Sequence, residues 1–149
     1  MINNRNTKRP PNDLYDLQRF VVAQASVFNH VLDELRAGTK MSHWMWFIFP
    51  QIKGLGRSPT SMEYAISGLA EAQAYLRHPI LGSRLKECTN LVVLVQGRTA
   101  FDIFGSPDDM KFRSSMTLFA HVSPDDDIFE RALQKYFDGK PDPLTLARL

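Results

Sequence analysis

An aromatic segment at residues 42–51, SHWMWFIFPQ, constrains the fold of this chain more than any other stretch. It contains both tryptophans and two of the ten phenylalanines, so four large rings lie within ten residues. Each such ring can bury about 150–250 Å², whereas a transmembrane helix would need about 20 apolar residues. We therefore expect the aromatic segment, a short helix or turn that Pro50 ends, to pack in a core or line a pocket.

The composition is that of one globular domain. The chain has 149 residues, of which 44% are hydrophobic and 23% are charged. Its single cysteine, Cys88, excludes an intramolecular disulfide and fits a reducing compartment. No apolar stretch follows the first basic residues, as a signal peptide would require. The sequence therefore predicts a cytoplasmic protein with no membrane partner.

The positive charge is concentrated at one end of the chain. Residues 1–11 contain three cations and two prolines, and the remaining residues hold 15 basic against 16 acidic side chains. We predict a disordered basic tail at residues 1–11 and a single domain at residues 12–149. The nearly neutral domain argues against nucleic acid as a partner.

The hydrophobic periodicity predicts an all-α fold of seven or eight short helices, because no segment alternates as a strand does. One helix start is predicted at a T-x-x-E capping box formed by Thr60 and Glu63. Two more are predicted at the tetrapeptide SPDD, which occurs at residues 106–109 and 123–126. Gly38 is predicted to end a helix in the left-handed conformation.

The glycine loop, KGLGRS at residues 53–58, is the first candidate for binding a ligand. Its two glycines let backbone N–H groups approach an anion, and Lys53 and Arg57 add positive charge. The spacing does not match a Walker A motif. A solvated loop with a serine cap would explain the same residue types, so both interpretations stay open.

A second candidate is His43 beside Trp44 and Trp46. The imidazole can act as a general acid or base, and an indole ring can stack on a base or sugar. Gln51 makes the end of the aromatic segment more polar than a core element requires. The alternative is that the tryptophans fill the core and that the histidine bonds to the backbone.

The third candidate is KFRSS at residues 111–115. Lys111, Ser114 and Ser115 share one helix face at 100° per residue, and Arg113 lies beside them. Serines are mildly unfavourable inside a helix and so invite a functional reason. An exposed face stabilised by i, i+4 pairs is the alternative.

The carboxylates nearest these candidates include Glu63 and Asp109, each of which also has a role at a helix start. They would be the acid/base groups if the site is catalytic. We predict no metal site and no cofactor, because the chain has one cysteine, four scattered histidines and no H-x-x-x-H or C-x-x-C motif.

Several segments give the sequence a resemblance to a known family. It resembles family 1810 of the domains of unknown function, small bacterial helical proteins that are sometimes labelled calpastatin-like. The most specific matching segments are SHWMWFIFPQ at residues 42–51 and DDMKFRSSMTLF at residues 108–119. The resemblance covers essentially everything after the tail and implies a helical fold, but it implies no catalytic residues.

The sequence is also faintly similar to the NADAR proteins, helical domains connected with ADP-ribose chemistry. The similar features are the early aromatic cluster, the pair Glu63-Tyr64 and the late pair Phe104-Gly105. The fuller glutamate–histidine–tyrosine and tryptophan–glycine motifs of those domains are missing here. This likeness implies ADP-ribose as a ligand class.

Two hypotheses for the function follow. In the first, the three candidates converge on a site for a nucleotide or ADP-ribose-like ligand, with His43, Arg57 and Lys111 in one pocket. Catalysis there would be N-glycosidic hydrolysis. In the second, the same face is a non-enzymatic module that binds a protein or nucleic-acid partner. A solvent-lined concave pocket that contains His43 and Arg57 would favour the first hypothesis, and a flat or filled surface would favour the second.

Deleting residues 1–11 should leave the thermal midpoint of unfolding nearly unchanged, because the tail has almost nothing apolar to bury. The measurement is a thermal melt followed by circular dichroism, with the full chain as the control. Loss of cooperative unfolding in the truncated chain would show that the tail is docked on the domain.

Overall fold

The computed structural model describes residues 9–149, so most of the predicted tail lies outside the described residues. The all-α prediction is confirmed, since ten helices and no strand occur within residues 9–149. The helices are α1 (Gln18–Ala25), α2 (Phe28–Ala37), α3 (Met45–Ile48), α4 (Pro59–Glu63), α5 (Leu69–Arg77), α6 (Leu81–Leu94), α7 (Ala100–Phe104), α8 (Asp108–Val122), α9 (Ile128–Phe137) and α10 (Pro143–Leu146). The expected seven or eight is too few, because four of the ten are single turns of four or five residues.

Helix α8 is the centre of the fold. It packs against α5, α7, α9 and α10. All of its residues from Ser114 to Phe119 are buried, as is Phe112, so the helix is covered on most of its sides. A helix covered in this way lies in the interior of a bundle and does not show the one-sided apolar stripe of a surface helix.

The aromatic segment packs against α8. Trp44 and Phe49 are 1% and 0% exposed, and the Phe49 ring lies edge-on to Phe112, with 5.0 Å between their centroids. Phe49 also contacts Phe104, with 6.0 Å between centroids. The prediction that this segment belongs to the core is confirmed for Trp44 and Phe49.

The carboxylate of Glu34, in α2, fixes the chain where it enters the aromatic segment. It accepts hydrogen bonds from the backbone N–H groups of Met41 (2.7 Å) and Ser42 (3.0 Å) and from the Ser42 hydroxyl. The indole Nε1 of Trp44 also donates to it, at 2.9 Å. The one polar atom of the buried Trp44 side chain is therefore satisfied, as burial requires.

Some helix ends lie where the sequence predicts them, and others do not. Gly38 ends α2 with φ 72°, which confirms the predicted left-handed cap. The predicted capping box of Thr60 and Glu63 is wrong: Ser58 is the N-cap of α4, and its hydroxyl accepts the backbone N–H of Ser61 at 3.1 Å. Pro59 after Ser58 favours this earlier start, because proline is preferred at the first helical position.

The two SPDD segments do not begin helices in the same way. Helix α8 starts at Asp108, within the first SPDD segment, without a side-chain cap. Helix α9 starts only at Ile128, because the side chain of Asp126 accepts the backbone N–H of Ile128 at 3.1 Å. The second SPDD segment therefore forms a turn before the helix.

A single parallel bridge between Ile52 and Ile66 closes the base of a loop that contains α4. The backbone N–H of Lys53 donates to the Ile66 carbonyl, and the Ile66 N–H donates to the Gln51 carbonyl, both at 2.8 Å. The bridge holds residues 53–65 beside the aromatic segment. Within residues 9–149, no helix has both the length and the apolar character needed to span a bilayer.

Replacing Trp44 with alanine should lower the free energy of unfolding by about 3–5 kcal/mol, because the change leaves a cavity and removes one hydrogen bond to Glu34. Trp46→Ala is the control and should cost less, since its ring is only partly buried. Urea midpoints measure both effects. Equal midpoints for the two variants would contradict the central position of Trp44.

Protonation of the Glu34 carboxylate should lower the stability of the protein at acidic pH. Burial acts to raise the pKa of Glu34, but the hydrogen bonds from Ser42, Met41 and Trp44 outweigh it and lower the pKa below its ordinary value of 4.5. The stabilisation is therefore present above that value and is lost as the pH falls through the lower folded-state pKa. In urea unfolding across this acidic range, Glu34→Gln should lose less stability than the wild type, and parallel pH profiles would contradict this role.

Candidate functional site

A cleft of about 230 Å³ lies on the outer side of the aromatic segment. Its lining comes from the aromatic segment, from the loop of residues 51–65 that contains α4, and from α8. These are the three regions that the first functional hypothesis brings together. The apolar part is formed mainly by Met45, Trp46, Phe49, Met62 and Tyr64. The polar part is formed by Gln51, Lys53, Gly54, Gly56, Ser61 and Lys111.

Two aromatic rings of the cleft are only partly buried. Trp46 lies in α3, two residues after the buried Trp44, and therefore faces the other side of the turn. Tyr64 follows α4 and packs on Phe47, with 5.4 Å between ring centroids. Burial and then the charge of Glu63 raise the pKa of Tyr64 above its ordinary value of 10.0, at which the hydroxyl is already a hydrogen-bond donor at neutral pH.

Lys111 is held between a carboxylate and an indole ring. Its Nζ lies 3.6 Å from Asp108 Oδ1 and 5.3 Å from the ring centroid of Trp46. The other oxygen of Asp108 pairs with Lys40 at 3.0 Å, so one carboxylate is shared by two lysines. This arrangement places the ammonium group at the cleft without fully neutralising it.

The cleft carries positive charge. Lys53 is exposed and forms no ion pair within residues 9–149. None of the described residues that line the cleft is a carboxylate. An anionic ligand would therefore meet two lysines and no opposing charge of the lining itself.

Both glycines of the cleft lie close to other side chains. Gly54 has φ 101°, and a β-carbon built there would lie 2.5 Å from a guanidinium nitrogen of Arg148. A β-carbon on Gly56 would lie 2.6 Å from the Ser61 side chain. Glycine is required at both positions, so the loop is a packed wall of the cleft.

Several predicted ligand-binding residues lie elsewhere. Only Lys111 of the trio His43, Arg57 and Lys111 lines the cleft, so the expected convergence of the three is not observed. His43 is exposed because residues 41–43 run along the surface before Trp44 turns inward. Arg57 is exposed one residue beyond Gly56.

Trp44 and Ser115 are buried in the core and do not line the cleft. The Ser115 hydroxyl has no hydrogen-bond partner among the described residues. Because both side chains face the interior, the predicted roles of Trp44 and Ser115 in binding a ligand have no support in the geometry.

Arg113 and Ser114 attach the C-terminal segment, residues 140–149, to α8. Arg113 donates to the carbonyls of Lys140 and Pro141, both at 3.0 Å. The Ser114 hydroxyl donates at 3.0 Å to the buried carboxylate of Asp142, which also accepts the backbone N–H and the hydroxyl of Thr145. These contacts give Arg113 and Ser114 a structural role.

The predicted acid/base residues are also outside the cleft. The Glu63 side chain is exposed and lines a separate groove with Asp16, Arg19 and Tyr64. Asp109 lies in the first turn of α8, and its side chain accepts the backbone N–H of Met110 at 2.9 Å. Neither carboxylate lines the cleft.

Other catalytic groups are equally remote. Cys88 is fully buried in α6, and burial raises the pKa of its thiol to about 12, so it is not a thiolate nucleophile at neutral pH. Among residues 9–149, no three His, Cys, Asp or Glu side chains are grouped so that they could hold a metal ion.

Sequence reasoning did not select Ser61, Met62 and Tyr64 as site residues. They reach the cleft because the bridge between Ile52 and Ile66 folds residues 53–65 back on the aromatic segment. A one-residue bridge leaves no periodic pattern in a sequence. The pair Glu63-Tyr64 was a sequence signal for this part of the cleft, and Tyr64 is the residue of the pair that lines it.

Comparisons with known proteins agree with the helical fold. The model of a family described as "Protein of unknown function (DUF1810)" matches residues 14–149. The chain is similar to the crystal structure of the conserved hypothetical protein Rv1873 from Mycobacterium tuberculosis, with 56% sequence identity and a TM-score of 0.90. That similarity covers 91% of this chain and 96% of the other chain. No curated protein matches the chain.

The resemblance to family 1810 is thus confirmed over nearly the whole chain. The matched region includes the aromatic segment, the looped residues 51–65 and all of α8, which together form the cleft. The chain therefore belongs to the DUF1810 family of proteins of unknown function.

Proposed function

We propose that this chain binds a small anion that carries an aromatic ring, of the nucleotide class, in the cleft beside the aromatic segment. The observation that carries the proposal is the presence in one concave site of the Trp46 ring, Lys53 and Lys111, with no carboxylate among the described lining residues. An aromatic face together with positive charge is the usual combination for a ring attached to a phosphate.

Trp46 would stack on the base. Its ring is partly exposed to the cleft, and stacking of a base on an aromatic side chain contributes about 1–3 kcal/mol. In the free protein Lys111 lies over this ring, an interaction of about 0.5–1 kcal/mol at an exposed site. A hydrogen bond between Lys111 and a phosphate contributes about 1.5–3 kcal/mol, which is more than the contact with the ring. When a phosphate binds, Lys111 would therefore move from the Trp46 ring to the phosphate, and the base could stack on the ring.

The size of the cleft indicates how much of the ligand it would enclose. Its volume of about 230 Å³ is below the roughly 300–1,000 Å³ of sites that enclose a drug-sized molecule. It would hold one ring and one phosphate, while the rest of a larger nucleotide would extend along the glycine loop into solvent.

The proposal is limited to binding. N-glycosidic hydrolysis would need an acid or base within hydrogen-bond reach of the ligand. Glu63 and Asp109 do not line the cleft, so the geometry gives no support to that reaction. An interaction module that uses the same face would be better served by a flat surface than by a concave cleft with an apolar floor.

Isothermal titration with AMP at low salt tests the proposal. Trp46→Ala should weaken binding at least fivefold, because about 1 kcal/mol or more of stacking is lost. Lys111→Met should weaken it by a similar or larger factor, because it removes a charge-assisted contact. Both variants should keep the wild-type circular dichroism spectrum.

Lys86→Met is the matched control for Lys111→Met. Lys86 is also a partly buried helical lysine paired with an aspartate, Asp126, at 3.4 Å, but it lies outside the cleft. Binding to this control should equal that of the wild type. Absence of AMP binding, or equal weakening by Lys86→Met and Lys111→Met, would contradict the proposal.

A further inference from the structure

We infer that Arg148 is a third cationic residue of the cleft and that it binds a second phosphate group, so that diphosphate ligands bind more tightly than monophosphates. The inference rests on the proposed function and adds the number of phosphates that the site recognises. Arg148 belongs to the C-terminal segment, far in sequence from the other residues of the cleft.

The guanidinium of Arg148 lies against Gly54. A β-carbon built on Gly54 would be 2.5 Å from one of its nitrogens and 2.7 Å from its central carbon. The arginine thus fills the space that a side chain would take at position 54. Gly54 lines the cleft directly after Lys53, so the guanidinium of Arg148 lies at the end of the glycine loop that carries Lys53.

The donors of Arg148 are free. Its side chain forms no hydrogen bond or ion pair with any of the described residues and is exposed. Arg19, Arg98 and Arg113, in contrast, donate to backbone carbonyls of the protein. All the N–H groups of Arg148 therefore remain available to a ligand.

The backbone of Arg148 is nevertheless fixed. The buried Asp142 attaches the C-terminal segment to α8 through Ser114 and Thr117, and Leu149 packs against the core. The N–H of Arg148 itself donates to the Thr145 carbonyl at 3.0 Å. A fixed backbone reduces the entropy that ordering this side chain on a ligand would cost.

The three cations differ in chemistry. Lys53 and Lys111 are compact charges that suit a single phosphate, whereas a guanidinium can donate two parallel hydrogen bonds to one phosphate. If the first phosphate of the ligand lies between the two lysines, its second phosphate lies beside Gly54 and the unpaired N–H groups of the Arg148 guanidinium. A ligand with one phosphate would form no hydrogen bond with this guanidinium.

The test compares AMP with ADP by isothermal titration at one salt concentration. The wild type should bind ADP about tenfold more tightly than AMP, as expected for an added charge-assisted contact. Arg148→Gln should abolish this preference by weakening the binding of ADP much more than that of AMP. Arg148→Lys should restore only part of it, because lysine lacks the fork.

Arg131→Gln is the matched control, since Arg131 is an exposed arginine of α9 that does not lie against the glycines of the cleft. It should keep the full preference for ADP. Equal affinities for AMP and ADP in the wild type, or a preference that survives Arg148→Gln, would overturn the inference and leave the binding of AMP intact. If neither nucleotide binds, the proposed function fails and the inference fails with it.

Discussion

The burial of Trp44 is the constraint on which the cleft depends. Its indole is closed off from solvent, its one polar atom donates to Glu34, and its ring packs near Phe49. Trp44 is the N-cap residue of the single-turn helix α3 and Trp46 lies within the turn, and the two side chains end in different surroundings, one buried and one partly exposed. One tryptophan therefore stabilises the fold, and the other is left at the surface, where it forms a wall of the cleft.

Helix α8 connects the core to the surface through neighbouring residues. Phe112 packs on Phe49, Lys111 lies at the cleft, and Arg113 and Ser114 attach the C-terminal segment. Each residue points about 100° away from the one before it, so four successive side chains contact different parts of the molecule. The short motif KFRSS is therefore a junction of three regions, and most of it is structural.

The distribution of chemical groups in the cleft is the basis of the proposed binding function. The cleft has two lysines, an apolar floor and partly exposed rings, whereas the nearby carboxylates of Glu63 and Asp109 lie outside it. The only cysteine is buried in α6. Charge recognition needs only cations at the cleft, and the glycine loop, packed against Arg148 at Gly54 and against Ser61 at Gly56, forms a wall beside Lys53.

The sequence by itself determined the all-α class, the position of the aromatic segment in the core or at a pocket, and the end of α2 at Gly38, because periodicity, aromatic content and a left-handed glycine act locally. It also named Trp46, Lys53 and Lys111. Local patterns could not say which tryptophan faces inward, that residues 53–65 fold back beside the aromatic segment, or that Ser114 binds the C-terminal segment. Those outcomes were decided by tertiary contacts: the Glu34 carboxylate, the bridge at Ile66 and the docking of Asp142 join residues far apart in sequence, and such contacts leave no periodic signal.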